Sequence, residues 1–134
     1  MKKLLTSVLF SFVFVTAAFA QVQQSSAGDV FIPISKYISS SDAEGLSAWF
    51  AENLELDIMG SVNNCTKSQA KQIMKSFFSK YTPKEFSILH KSGRPPMTYA
   101  VGSLSAGGEQ FRVIIYVKAS GEKNEIQQLR IEKQ

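Results

Sequence analysis

From Phe86 to Glu132 the chain repeats one pattern four times: apolar and polar residues largely in alternation, then a short turn bearing glycine or proline. The runs are 86–91, 98–104, 111–118 and 126–132. They are separated by Ser92-Gly93-Arg94-Pro95-Pro96, by Ser105-Ala106-Gly107-Gly108, and by a turn containing Gly121. Successive side chains of a strand point to opposite faces, so each run offers one apolar face. Turns this short join neighbours antiparallel. The pattern predicts a four-stranded meander, and other elements must cover its apolar face.

The residues before Phe86 supply the cover. A helix is expected from Asp29, with Val30, Phe31, Ile34, Tyr37 and Ile38 at helical spacing and Pro33 in the first turn, where the lost N–H costs least. Ser41-Asp42-Ala43-Glu44 reads as a capping box that opens a second helix carrying Leu46, Trp49 and Phe50. Residues 54–59 alternate, with Leu54, Leu56 and Ile58 on one face and Glu55, Asp57 and Met59 on the other, as in a half-buried strand. Gly60 to Asn64 reads as a turn. Thr66-Lys67-Ser68-Gln69 is another capping box, before a helix carrying Ala70, Ile73, Met74, Phe77, Phe78 and Tyr81 and stopped by Pro83.

The N-terminus reads as an address rather than as part of the fold. Lys2 and Lys3 precede an apolar run, and Ala18-Phe19-Ala20 places small residues where a signal peptidase reads. Residues 1–20 are expected to be removed and 21–28 to form a polar leader. Residues 29–134 are then a single α+β domain of an exported protein, periplasmic or secreted, with no integral membrane span. Without Lys2 and Lys3 the basic residues barely exceed the 11 acidic ones, which excludes a nucleic-acid surface. One cysteine, Cys65, excludes a disulfide scaffold and reads as a small buried apolar residue.

Element order resembles the nuclear transport factor 2-like superfamily, over residues 29–134. Three stretches carry a closer resemblance: Asp29-Val-Phe-Ile-Pro-Ile-Ser-Lys-Tyr37; Trp49-Phe50 with Leu54-Glu-Leu-Asp57; and Gln127-Gln-Leu-Arg-Ile131. They are similar to an exported bacterial family, domain of unknown function 4783. The resemblance implies a cone-shaped fold, with three N-terminal helices packed on a curved, mostly antiparallel sheet. It implies no activity, because the superfamily holds isomerases, dehydratases and hydrolases beside non-catalytic binders and dimerising domains.

The chemistry-bearing residues are few. One histidine and one cysteine offer no metal-ligand spacing, and neither a phosphate loop nor a nucleophile elbow appears, so no metal and no cofactor are expected. His90 shares a face with Phe86 and Ile88 by strict alternation. It would then point into the cone as a general base, with Tyr99, Tyr116 or Asp57 as partner and Trp49 in the same ligand pocket. Asp57 is the base that the superfamily resemblance implies, yet alternation turns it away from Leu54 and Leu56. Lys67, Lys71 and Lys75 repeat at four-residue spacing and read as a solvated helix face. On the third run Phe111, Val113, Ile115 and Val117 face the core, which leaves Ile114 and Tyr116 outside, with Met59, as an apolar-aromatic interface. The reading that follows is a non-catalytic binding or association module. Its partner would be a second copy, an envelope protein or a small apolar ligand, and the alternative is a cone-pocket enzyme using His90.

Overall fold

In the computed structural model, which describes residues 29–134, helix α1 (Phe31–Ser39) buries Phe31, Ile34 and Ile38, one stripe of the expected helix. The signal segment 1–20 and leader 21–28 lie outside the described residues. Phe31–Gln134 form one compact unit. Helix α2 (Ala43–Ser47) is a single short turn capped by Asp42, whose carboxylate accepts the Gly45 N–H at 2.8 Å. The cap is Asp42 rather than Ser41, which instead takes a left-handed conformation (φ 61°) linking the two helices. Trp49 and Phe50 therefore leave the helix. Phe50 is fully buried and opens strand β1, whereas Trp49 stays partly exposed, its carbonyl accepting the Ile126 N–H at 2.6 Å.

Strand β1 (Phe50–Ile58) turns at Met59-Gly60 into β2 (Ser61–Thr66), which pairs with it antiparallel. The expected turn over 60–64 is thus mostly strand. Its side chains are exposed except Cys65, so no one-sided alternation marks it in the sequence. Helix α3 (Lys67–Lys80) starts at the expected capping box: Thr66 Oγ accepts the Gln69 N–H at 3.2 Å, and Gln69 Oε1 accepts the Thr66 N–H at 2.9 Å. It ends at a Tyr81 cap two residues before Pro83.

The four predicted runs are strands β3 (Pro83–Arg94), β4 (Met97–Ala106), β5 (Glu109–Ser120) and β6 (Lys123–Lys133). The sheet order is β2-β1-β6-β5-β4-β3, antiparallel throughout except where β1 lies parallel to β6. The fold is α+β, with three helices and six strands among the described residues on a curved, mostly antiparallel sheet. The helices are not all N-terminal to the sheet, because the β1–β2 hairpin comes between α2 and α3.

One face of the sheet meets the helices. Phe86, Leu104, Phe111, Val113, Ile115, Val117, Leu129 and Ile131 are buried there with Met74, Phe77 and Phe78 of α3. The Phe111 ring meets Phe77 edge-on at 5.4 Å and Tyr81 at 5.1 Å, which ties α3 to the middle of the sheet. Gly102 explains itself at this layer. A Cβ there would sit 2.6 Å from the Phe86 ring, so only glycine lets that ring lie across β4.

Candidate functional site

The other face of the sheet carries no helix among the described residues that packs against it, and ladder register fixes what it presents. One row runs His90, Val101, Ile114, Arg130, Asp57, Val62 from β3 to β2. The next runs Ser92, Tyr99, Tyr116, Gln128, Glu55, Asn64. The face is therefore divided. Towards β3 to β5 it is aromatic and aliphatic; towards β6 and β1 it is ionic and amidic.

In the aromatic half Tyr99 lies 5.4 Å from Tyr116 and 6.3 Å from His90, ring centre to ring centre. Val101, Ile114 and both tyrosines are partly exposed, and Met97 is exposed at the margin. In the polar half, Arg130 Nε contacts Asp57 Oδ2 and Glu132 Oε2, each at 3.3 Å, while Gln128 Nε2 donates to Glu55 Oε2 at 2.9 Å. Asp57 faces this open side, as alternation predicts, yet it is only 8% exposed. Arg130 covers one of its oxygens and the Gly60 N–H donates to the other at 3.1 Å.

Of the expected catalytic candidates, the structure brings His90 beside Tyr99 but not near Asp57 or into the core. The β3–β4 ladder shifts register between Ile88, opposite Gly102, and His90, opposite Val101. Leu89 is the extra residue, 67% exposed, and a one-residue shift exchanges the faces beyond it. His90 is therefore exposed on the open face, not in the core beside Phe86. Three strands, β6, β5 and β4, lie between it and Asp57, a separation of about 19 Å at ordinary strand spacing. Trp49, at the start of β1, is on the far side of those strands too, so the two do not line one pocket. Tyr99 does lie beside His90.

The interface residues divide as well. Ile114 and Tyr116 are neighbours on the patch. Met59 is exposed but sits in the β1–β2 turn, beyond the Arg130–Asp57 pair. Val101 and Tyr99 take its place, and alternation of Ala100, Gly102, Leu104 and Ala106 towards the core is the signal that marks them. The lysine stripe is partly neutralised, since Lys71 pairs with Glu44 at 3.4 Å. Among the described residues no group of three or more His, Cys, Asp or Glu side chains is placed to hold a metal ion, and no helix is long and apolar enough to cross a membrane.

The helix-facing interior is apolar. Among the described residues the buried polar residues are Ser47, whose hydroxyl donates to the Glu44 carbonyl at 2.8 Å, and Asp57, which faces the other way, and the Ser35 hydroxyl of α1 is buried without a hydrogen-bond partner.

Solved structures share this architecture. The chain is similar to a DUF4783 family protein from Bacteroides uniformis, at 23% identity and a TM-score of 0.76, over 79% of this chain and 98% of that one. A DUF4783 family protein from Bacteroides ovatus is similar at 24% identity and a TM-score of 0.73, over 76% and 93%. An NTF2-like protein of unknown function from Cytophaga hutchinsonii shares the fold at a TM-score of 0.60 with 8% identity, over 81% and 89%. No curated protein matches the chain. The family model for the domain of unknown function DUF4783 spans residues 31–132, from the first buried residue of α1 to one residue short of the end of β6, and the chain belongs to that family.

Proposed function

We propose that this protein is an exported, non-catalytic association module that works through the open face of its sheet, with a second copy of itself as partner. The observation that carries this is the patch of Tyr99, Val101, Ile114 and Tyr116, aromatic and partly exposed in a sheet whose opposite face is packed with apolar side chains. Tyrosine gives large contact area at little entropy cost, and such residues dominate interface energies. Charges of both signs border the patch, Arg112 and Arg130 with Asp57 and Glu132. A mixed border suits a two-fold copy, in which each positive group can meet a negative one. Export rests on the basic, apolar and small-residue succession of residues 1–20.

Tyr116→Lys tests the contact. Tyr116 points away from the core, so the substitution should leave the melting temperature near wild type. It should weaken association about 30-fold, the factor that corresponds to a hot-spot loss of roughly 2 kcal/mol. Sedimentation over a concentration series reads this directly. A variant that associates as tightly as wild type would sink the open-face dimer. A wild type that stays monomeric throughout would point instead to an envelope protein or a small apolar ligand on the same patch.

A further inference from the structure

The two edges of the sheet are treated differently. Strand β3 begins with Pro83, carries Lys84, Lys91 and Arg94, and is broken by the bulge at Leu89. These are devices by which proteins stop an edge from pairing with another strand. Strand β2 has none of them. Ser61-Val62-Asn63-Asn64-Cys65-Thr66 contains no charge, no proline and no bulge, and its six residues are an ordinary strand length.

This edge is also held ready. Met59 and Gly60 both have positive φ, 52° and 89°, as a two-residue hairpin turn requires, and the α3 capping box fixes the other end at Thr66. Such a turn makes Ile58 and Ser61 a hydrogen-bonded pair, and alternation along the ladder does the same for Asn63 with Leu56 and Cys65 with Leu54. The main-chain groups of Val62 and Asn64 consequently point outward, away from β1. Val62 is 55% exposed. Carboxamides flank the strand on both sides: Asn53, Asn64 and Gln127, beside the Glu55 carboxylate, in one cleft, and Asn63, Gln69 and Gln72 in the other. A carboxamide both donates and accepts, so a surface lined by them is complementary to itself.

We infer that the β2 edge pairs with the β2 edge of a second copy, antiparallel about a two-fold axis that sets Asn63 opposite Asn63. In that register Val62 of each copy exchanges both main-chain bonds with Asn64 of the other, which are the groups left pointing outward. Side chains of directly opposed residues share a face, so helix side meets helix side and the sheet continues from one copy into the next. The open face is doubled in extent by the same step. This contact is separate from the open-face contact and stands or falls without it.

The test is made in the Tyr116→Lys background, where the open-face contact is weakened about 30-fold. That variant is expected to sediment as a dimer at high concentration. Adding Asn63→Lys, or Asn63→Glu, opposes like charges across the axis and should raise the dimer dissociation constant at least tenfold. Mixing the two charged variants in equal amounts should restore association, because a lysine then faces a glutamate. Asn63 is exposed, so thermal melts of both should match the background. Three results would each overturn the inference: a background variant that is monomeric at every concentration, a charged variant that dimerises as tightly as the background, or a mixture that recovers nothing.

Discussion

Cys65 is 7% exposed, packed opposite Leu54 beneath the edge of the sheet, and burial raises its thiol above the ordinary value of 9.0. Desolvation disfavours the thiolate, which suits a packing residue better than a nucleophile. The sign of the pH effect follows. Above 9.0 the unfolded chain releases the proton first while the folded chain still holds it, so stability falls as pH rises until the folded thiol also ionises. Denaturant melts on either side of that value should show wild type losing more stability than Cys65→Ala, the remaining groups being common to both. Equal losses would mean that the thiol is not desolvated. Native protein should also resist alkylation at Cys65 that proceeds once denaturant is added.

Among the elements, α3 combines the clearest local signal with the deepest packing. Its capping box is exposed and local, so Thr66→Ala should cost about 1 kcal/mol. Phe77 is buried and meets Phe78, Tyr81 and Phe111, so Phe77→Ala should cost about 3–5 kcal/mol. The second figure is a large share of the stability of a domain of this size. Denaturant melts of the two variants should differ accordingly, and comparable losses would mean that the cap rather than the packed face holds α3. Both features were legible in the sequence, since a capping box and a helical apolar stripe each span a few residues. α2 was less so: Asp42 rather than Ser41 caps it, and it ends at Ser47, so that Phe50, expected in the helix, opens β1 instead.

At the scale of the molecule, the proposed contacts use one sheet face and one sheet edge, and the export reading of residues 1–20 places them outside the cytoplasm. Intact-mass measurement on protein recovered outside the cytoplasm should give a chain that begins at Gln21. Recovery of the full-length chain in the membrane fraction would overturn the export reading. If both contacts form, edge-paired copies present a continuous open face to a like pair, and the assembly closes as a dimer of dimers.

The meander, the start of α3 and the facing of β5 follow from the sequence alone, because each rests on a periodicity or a cap read within a dozen residues. The split of β5 into a core face and an open face, with Ile114 and Tyr116 outside, is what the structure has. Three features were decided only by the assembled chain. Strand β2 is exposed along nearly its whole length, so no apolar period marks it, and its partner β1 alone makes it a strand. The Arg130–Asp57 pair joins residues 73 positions apart through the parallel β1–β6 ladder, a contact that leaves no local trace. His90 was turned to the open face by one extra residue in β3, and a period of two makes every such insertion reverse the faces beyond it.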